Sequence, residues 1–99
     1  MTSSKVTISV NGNPVDIVEF VQEFIRQVVS GMLTTLKGVG DIHSAHLACN
    51  GEEVVISVNG AVVPSNEFVN QFIRNTANGM VGSLKGVEQI ERLEIDIAE

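Results

Sequence analysis

Val54–Val87 reads VVISVNGAVVPSNEFVNQFIRNTANGMVGSLKGV, and it restates Val6–Val39, VTISVNGNPVDIVEFVQEFIRQVVSGMLTTLKGV, without a gap at a displacement of 48 residues (Ile56 against Ile8). Two copies are too few for a stacked array, whose repeats need at least about three units to bury their faces. The chain is therefore one unit written twice, and reading one copy decides the fold of both.

Val6-Thr7-Ile8-Ser9-Val10 alternates apolar and polar side chains with β-branched residues throughout. That pattern predicts a strand with Val6, Ile8 and Val10 facing a core. Asn11-Gly12, with Asn59-Gly60 at the matching place, tolerates positive φ at both central positions of a tight turn. In the second copy Ala61-Val62-Val63 is placed to continue that turn as a small hairpin. Spacing then changes to three and four: Phe20, Val21, Phe24, Ile25, Val28, Met32 and Leu36 form an apolar stripe, opposed by Glu19, Gln22, Glu23, Arg26, Gln27, Ser30 and Thr34. This is a surface helix on a core. Asp16 and Glu19 fit a capping box that starts it near Ile17. Ser65 or Asn66 caps the second helix, which places Phe68, Val69, Phe72, Ile73, Met80 and Leu84 inward. Phe20, Phe24, Phe68 and Phe72 thus read as core. Lys37-Gly38 and Lys85-Gly86 end the helices, a cation for the helix dipole followed by a residue for the left-handed cap. Met1–Lys5 has no periodicity and reads as a frayed terminus.

Each helix is followed by another strand. Ile42–Cys49 places Ala45, Leu47 and Cys49 inward, at the positions Leu93, Ile95 and Ile97 take in the last strand, and Asn50-Gly51 turns into Glu53–Val58. The order is strand, helix, strand, strand, helix, strand, in one domain over 1–99 made of two βαβ repeats, 6–51 and 54–99. This arrangement resembles the ferredoxin-like fold. The resemblance implies an α+β βαββαβ architecture: a four-stranded antiparallel sheet of order 4-1-3-2, two helices on one face and an internal pseudo-twofold.

Composition bounds the function. A chain of 99 residues that is 43% hydrophobic supports one modest core. A net charge of −6 with six Lys plus Arg opposes phosphate backbones and anionic bilayers, so no nucleic acid and no membrane are expected as partners. No apolar run approaches the roughly 20 residues that span a bilayer, and no secretory leader is visible, which suggests a cytoplasmic protein. The lone Cys49 has no intrachain disulfide partner.

Leu36-Lys37-Gly38-Val39, Asn50-Gly51 and Val54-Val55-Ile56-Ser57-Val58 resemble the corresponding part of heavy-metal-associated domains over about a third of the chain. Those domains carry a Cys-x-x-Cys pair after the first strand, where this chain has Asn11-Gly12-Asn13-Pro14. The aromatic strand residues of RNA-recognition domains are replaced here by Thr7, Ser9, Val55 and Ser57. The loop arginine of acylphosphatases is absent as well. ACT-type ligand-binding domains have looser motifs, and a small-molecule-binding regulatory domain of that kind, using the Asn-Gly turns and helix starts, is the alternative reading.

His43, His46 and Cys49 have a ligand-like spacing, but in a strand His46 faces away from the other two, and His43 and Cys49 stand roughly 20 Å apart. Arg26 and Arg74, equivalent in the copies, read as structural or solvated. Glu52, Glu53, Glu88, Glu91, Glu94, Asp96 and Glu99 read as a solvated surface, since acid–base chemistry needs carboxylates that converge. Neither a nucleophile with its base nor a metal cluster assembles, so the chain reads as no enzyme and as needing no cofactor. Gly31 and Gly79, each costing about 1 kcal/mol inside a helix, suggest close approach of the two helices.

Differences between the copies carry the functional expectation. Val18, Val29 and Leu33 become Asn66, Ala77 and Val81, so the first helix is apolar over a wider arc. In the 4-1-3-2 order that flank lies over the second strand, an edge without formal charge, and uncharged edges permit strand addition. The expected role is a small non-catalytic interaction or assembly module, a homodimer or a module for another protein, with Val18, Val29, Leu33, Ser44, His46 and Ala48 as the candidate interface.

Overall fold

A computed structural model describes residues 5–36, 38–84 and 86–98. The chain forms β1 (Lys5–Val10), β2 (Asn13–Val15), α1 (Glu19–Thr34), β3 (Ala45–Asn50), β4 (Glu53–Val58), β5 (Ala61–Val62), α2 (Glu67–Gly82) and β6 (Arg92–Ala98). The proposed frayed start of the chain, apart from Lys5 at the head of β1, and the dipole role of Lys37 and Lys85 lie outside the described residues.

The α+β class is as read, but the four-stranded ferredoxin-like sheet is not. The sheet has six strands in the order β2-β1-β6-β3-β4-β5, all antiparallel. Its four long strands, counted along the chain, run 1-4-2-3 where 4-1-3-2 was expected. The Asn-Gly turns explain the difference. Asn11 (φ 53°) and Gly12 (φ 85°) fold β2 back along β1 so that Val10 faces Asn13, and Asn59 (φ 53°) and Gly60 (φ 84°) fold β5 back along β4. A strand has two hydrogen-bonding edges. Because each first strand gives one edge to its own hairpin, it cannot also take neighbours on both sides at the centre of the sheet. The second strands, β3 and β6, pair there instead.

The centre of that pairing is the centre of the duplication. Leu47 faces Ile95, its own counterpart 48 residues on, so the pseudo-twofold passes between β3 and β6 at this pair. Alternate residues of the long strands are buried: Val6, Ile8 and Val10, then Leu93, Ile95 and Ile97, then Ala45, Leu47 and Cys49, then Ile56 and Val58. They join Ile25, Val29 and Leu33 of α1 and Ile73, Ala77 and Val81 of α2 in one cluster, which places both helices on one face of the sheet. The opposite face is open to solvent. Among the described residues every buried one is aliphatic apart from Cys49, and none is aromatic.

Helix ends follow local chemistry. Asn66 caps α2, its Oδ1 accepting from Val69 N–H at 2.8 Å. At the equivalent place α1 has Val18, which offers no side-chain cap, and the Asp16–Glu19 box does not form. α1 begins at Glu19, two residues later than read. It ends at Thr34 with a cap at Thr35, ahead of Gly38, whose φ of 88° turns the chain out of the helical direction.

Candidate functional site

The expected interface does not survive the strand order. β3 is central, hydrogen-bonded to β6 on one side and β4 on the other, so it offers no edge for strand addition. The charged last strand is central too, because Arg92, Glu94 and Asp96 all point to the open face and need no edge to reach water. Val29 and Leu33 are core residues, at 1% and 0% exposure. Ser44 and Ala48 are half-buried, and His46 lies on the open sheet face. Of the six, only Val18 at the start of α1 is broadly exposed. The true edges, β2 and β5, are three and two residues long, and the edge strand β2 contains Pro14 while Pro64 follows β5. Short edges with proline in or just beyond them resist addition of another strand where they lie, over Ile8–Val10 of β1 and Ser57–Val58 of β4.

The Asn-Gly turns, the ligand positions of the ACT-like alternative, are committed to structure. Asn11 Oδ1 accepts from Glu91 N–H (2.8 Å) and Arg92 N–H (2.9 Å), and its Nδ2 donates to Gln89 O (2.8 Å). Asn59 Oδ1 accepts from His43 N–H (2.7 Å) and Ser44 N–H (3.0 Å), and its Nδ2 donates to Asp41 O (2.7 Å). Each asparagine thus clamps the loop that leaves the helix of the other repeat. Their side-chain hydrogen-bonding capacity is largely used inside the fold.

On the open face, His46 Nδ1 lies 2.5 Å from Asp96 Oδ1, and Ser57 is the cross-strand neighbour of His46 on β4. Asp96, His46 and Ser57 therefore stand in one row, the residue types of a nucleophilic triad. Chemistry does not follow from the row: among the described residues no hydrogen bond joins Ser57 to His46, and the flanking backbone belongs to the sheet ladder rather than to an oxyanion hole. Cys49 points the other way into the core, where burial pushes its thiol pKa up against a smaller opposing effect of Arg74. Arg26 bonds Glu23, and that bond, with a second from Gln27, holds the Glu23 carboxyl below its usual range. Gln71 stands at the position of that glutamate in the second copy, and Arg74 lines a shallow pocket with Glu52, Glu67, Asn70 and Gln71 without an ion pair among the described residues.

The feature the sequence reading inverted is the aromatic set. All four phenylalanines are exposed: Phe20 at 75%, Phe24 at 52%, Phe68 at 71% and Phe72 at 61%. They form two tilted pairs, Phe20–Phe24 with centroids 6.3 Å apart and Phe68–Phe72 at 6.0 Å. The helical period accounts for this. Ile25, Val29 and Leu33 define the side of α1 that meets the sheet, and Phe20 stands nine residues, two and a half turns, from Val29. It points directly away from the sheet, as Phe68 does relative to Ala77. A helical wheel centred on the i, i+4 line of Ile25, Val29 and Leu33, rather than on the whole apolar arc, would have shown it.

Gly31 and Gly79 are likewise not a close contact. A Cβ at either would have no neighbour within 4 Å. Instead Gly31, Met32, Thr35 and Leu36 face Phe68, Val69, Phe72 and Ile73 across an open, mainly apolar groove of about 460 Å³ between the helices. Gly79, Met80, Ser83 and Leu84, with Phe20, Val21, Phe24 and Ile25, are the sequence counterparts of these residues at the displacement of 48. Among the described residues no helix is long and apolar enough to cross a membrane. No protein-family model, curated protein or solved structure matches the chain.

Proposed function

We propose that the chain is a non-catalytic interaction and assembly module whose binding surface is the outer face of its helical layer. The observation that carries this reading is the outward display of all four phenylalanines in two pairs, one of which, Phe68–Phe72, lines an apolar groove between the helices. A phenylalanine side chain offers about 200 Å² of surface. At the exposures given above, the four together present about 500 Å² of aromatic area on one side of the molecule. Contiguous apolar patches of a few hundred Å² on soluble domains mark interaction sites, because leaving them in water is unfavourable. The core is complete without them, so folding does not explain their presence. Strand addition, the other route to assembly, is confined to the short stretches of β1 and β4 that β2 and β5 leave uncovered.

A photoreactive benzoylphenylalanine placed at Phe24 or Phe72 in living cells tests the surface. Val55, an exposed apolar residue on the open sheet face, is the control position. The proposal predicts covalent protein adducts from positions 24 and 72 and none from 55. Adducts from 55 alone, or none from the helical face, would overturn it.

A further inference from the structure

Building on the helical-face reading, we infer that the partner is a second copy of this chain, laid helix face to helix face across a twofold axis so that each copy's phenylalanine pairs enter the hollows at the other's helical glycines. Area is the first argument. A standard stable interface covers about 800 Å² per partner, and interfaces between identical subunits are about 65% apolar at their core. The roughly 500 Å² of exposed phenylalanine supplies about that apolar share, and the face is long enough to supply the rest, since each helix runs 16 residues, about 24 Å.

Shape is the second. Phe68 and Phe72 stand next to Gly31 across the groove, a knob beside a hollow, and the internal pseudo-twofold implies the same relation for Phe20 and Phe24 with Gly79. A surface that carries both halves of a fit is complementary to itself when turned over, as an isologous contact requires. This also gives the helical glycines a purpose. Each position is open within the chain, so glycine there serves no internal packing, whereas a side chain at either would occupy the hollow.

Charge is the third. Glu19, Glu23, Arg26, Glu67 and Arg74 are the charged residues of the helices, and none of them lines the groove. The open face of the sheet instead carries Glu94 and Asp96 on either side of the central Leu47–Ile95 pair. A sheet-to-sheet contact would have to take these carboxylates, and Arg92 on the same face, out of water, whereas the groove between the helices is lined by no charged residue.

Sedimentation equilibrium of the full chain, with Phe72→Gln, Gly31→Leu and the open-face control Thr7→Lys, tests the inference. The wild type is expected to dimerise at tens of micromolar. Phe72→Gln and Gly31→Leu should each weaken the dimer at least tenfold, and Thr7→Lys should leave it unchanged. Circular dichroism and the thermal midpoint of dilute samples separate loss of contact from loss of fold: Gly31→Leu is expected to keep or raise the monomer's midpoint. A wild type that stays monomeric at several hundred micromolar, or a dimer indifferent to both helical substitutions, overturns the second-copy inference. If photo-crosslinks from positions 24 and 72 then run to a different protein, the helical face stands and only its occupant changes; if those positions give no adduct, both readings fall.

Discussion

Asn11 and Asn59 tie the two repeats together crosswise, each holding by three hydrogen bonds a loop that belongs to the other half. Their left-handed backbone is part of the same device, since it turns the side chain back across the sheet end and starts the hairpin strand at once. Asn59→Ala removes the three bonds, worth about 1 kcal/mol each net, and strains the backbone by about 1 kcal/mol more. Urea unfolding is expected to show a loss of about 4 kcal/mol for Asn59→Ala. Asn59→Gly should lose less, because it removes the bonds and keeps the conformation. Equal and negligible effects of the two would show that the clamp contributes nothing. The turn itself was legible, because Asn-Gly has a mechanism that depends only on neighbouring residues. The clamp was not, since its partners at Gln89, Glu91 and Arg92 come into reach only through the strand order.

At the level of elements, the helices and long strands were legible from period alone, and the inward faces of the strands were read correctly from alternation. Which arc of each helix is inward was not legible. The apolar arc is wider than the sheet can cover, and a stripe that includes Phe20 and Phe24 looks like core until Ile25, Val29 and Leu33 are known to be the line of contact. The two helices also differ in a testable way. α2 starts on a bonded Asn66, whereas α1 starts on Val18, exposed and without a cap bond. Val18→Asn should copy the Asn66 arrangement onto Val21 N–H and raise stability by about 1 kcal/mol, read as a higher urea midpoint at unchanged slope. A lower midpoint would mean that Val18 is held by packing that the asparagine cannot replace.

For the whole molecule, duplication left two ways to interlock the repeats around a twofold, and the hairpins β2 and β5 select the one with the second strands at the centre. The hint was present in Ala61-Val62-Val63, but its consequence depends on counting edges over the complete sheet. The same geometry moves the expected contact surface from a strand edge to the helical layer, where a small aliphatic core is roofed by helices that show their aromatic residues to the outside. That outward aromatic face is the central claim, and the chain's four phenylalanines make it directly measurable. Uniform 4-fluorophenylalanine labelling gives one fluorine resonance per ring, and a soluble paramagnetic agent reports which rings meet solvent. The account predicts that all four resonances broaden in dilute protein and become shielded as concentration rises. Rings shielded from the agent at every dilution would belong to the core and would contradict it.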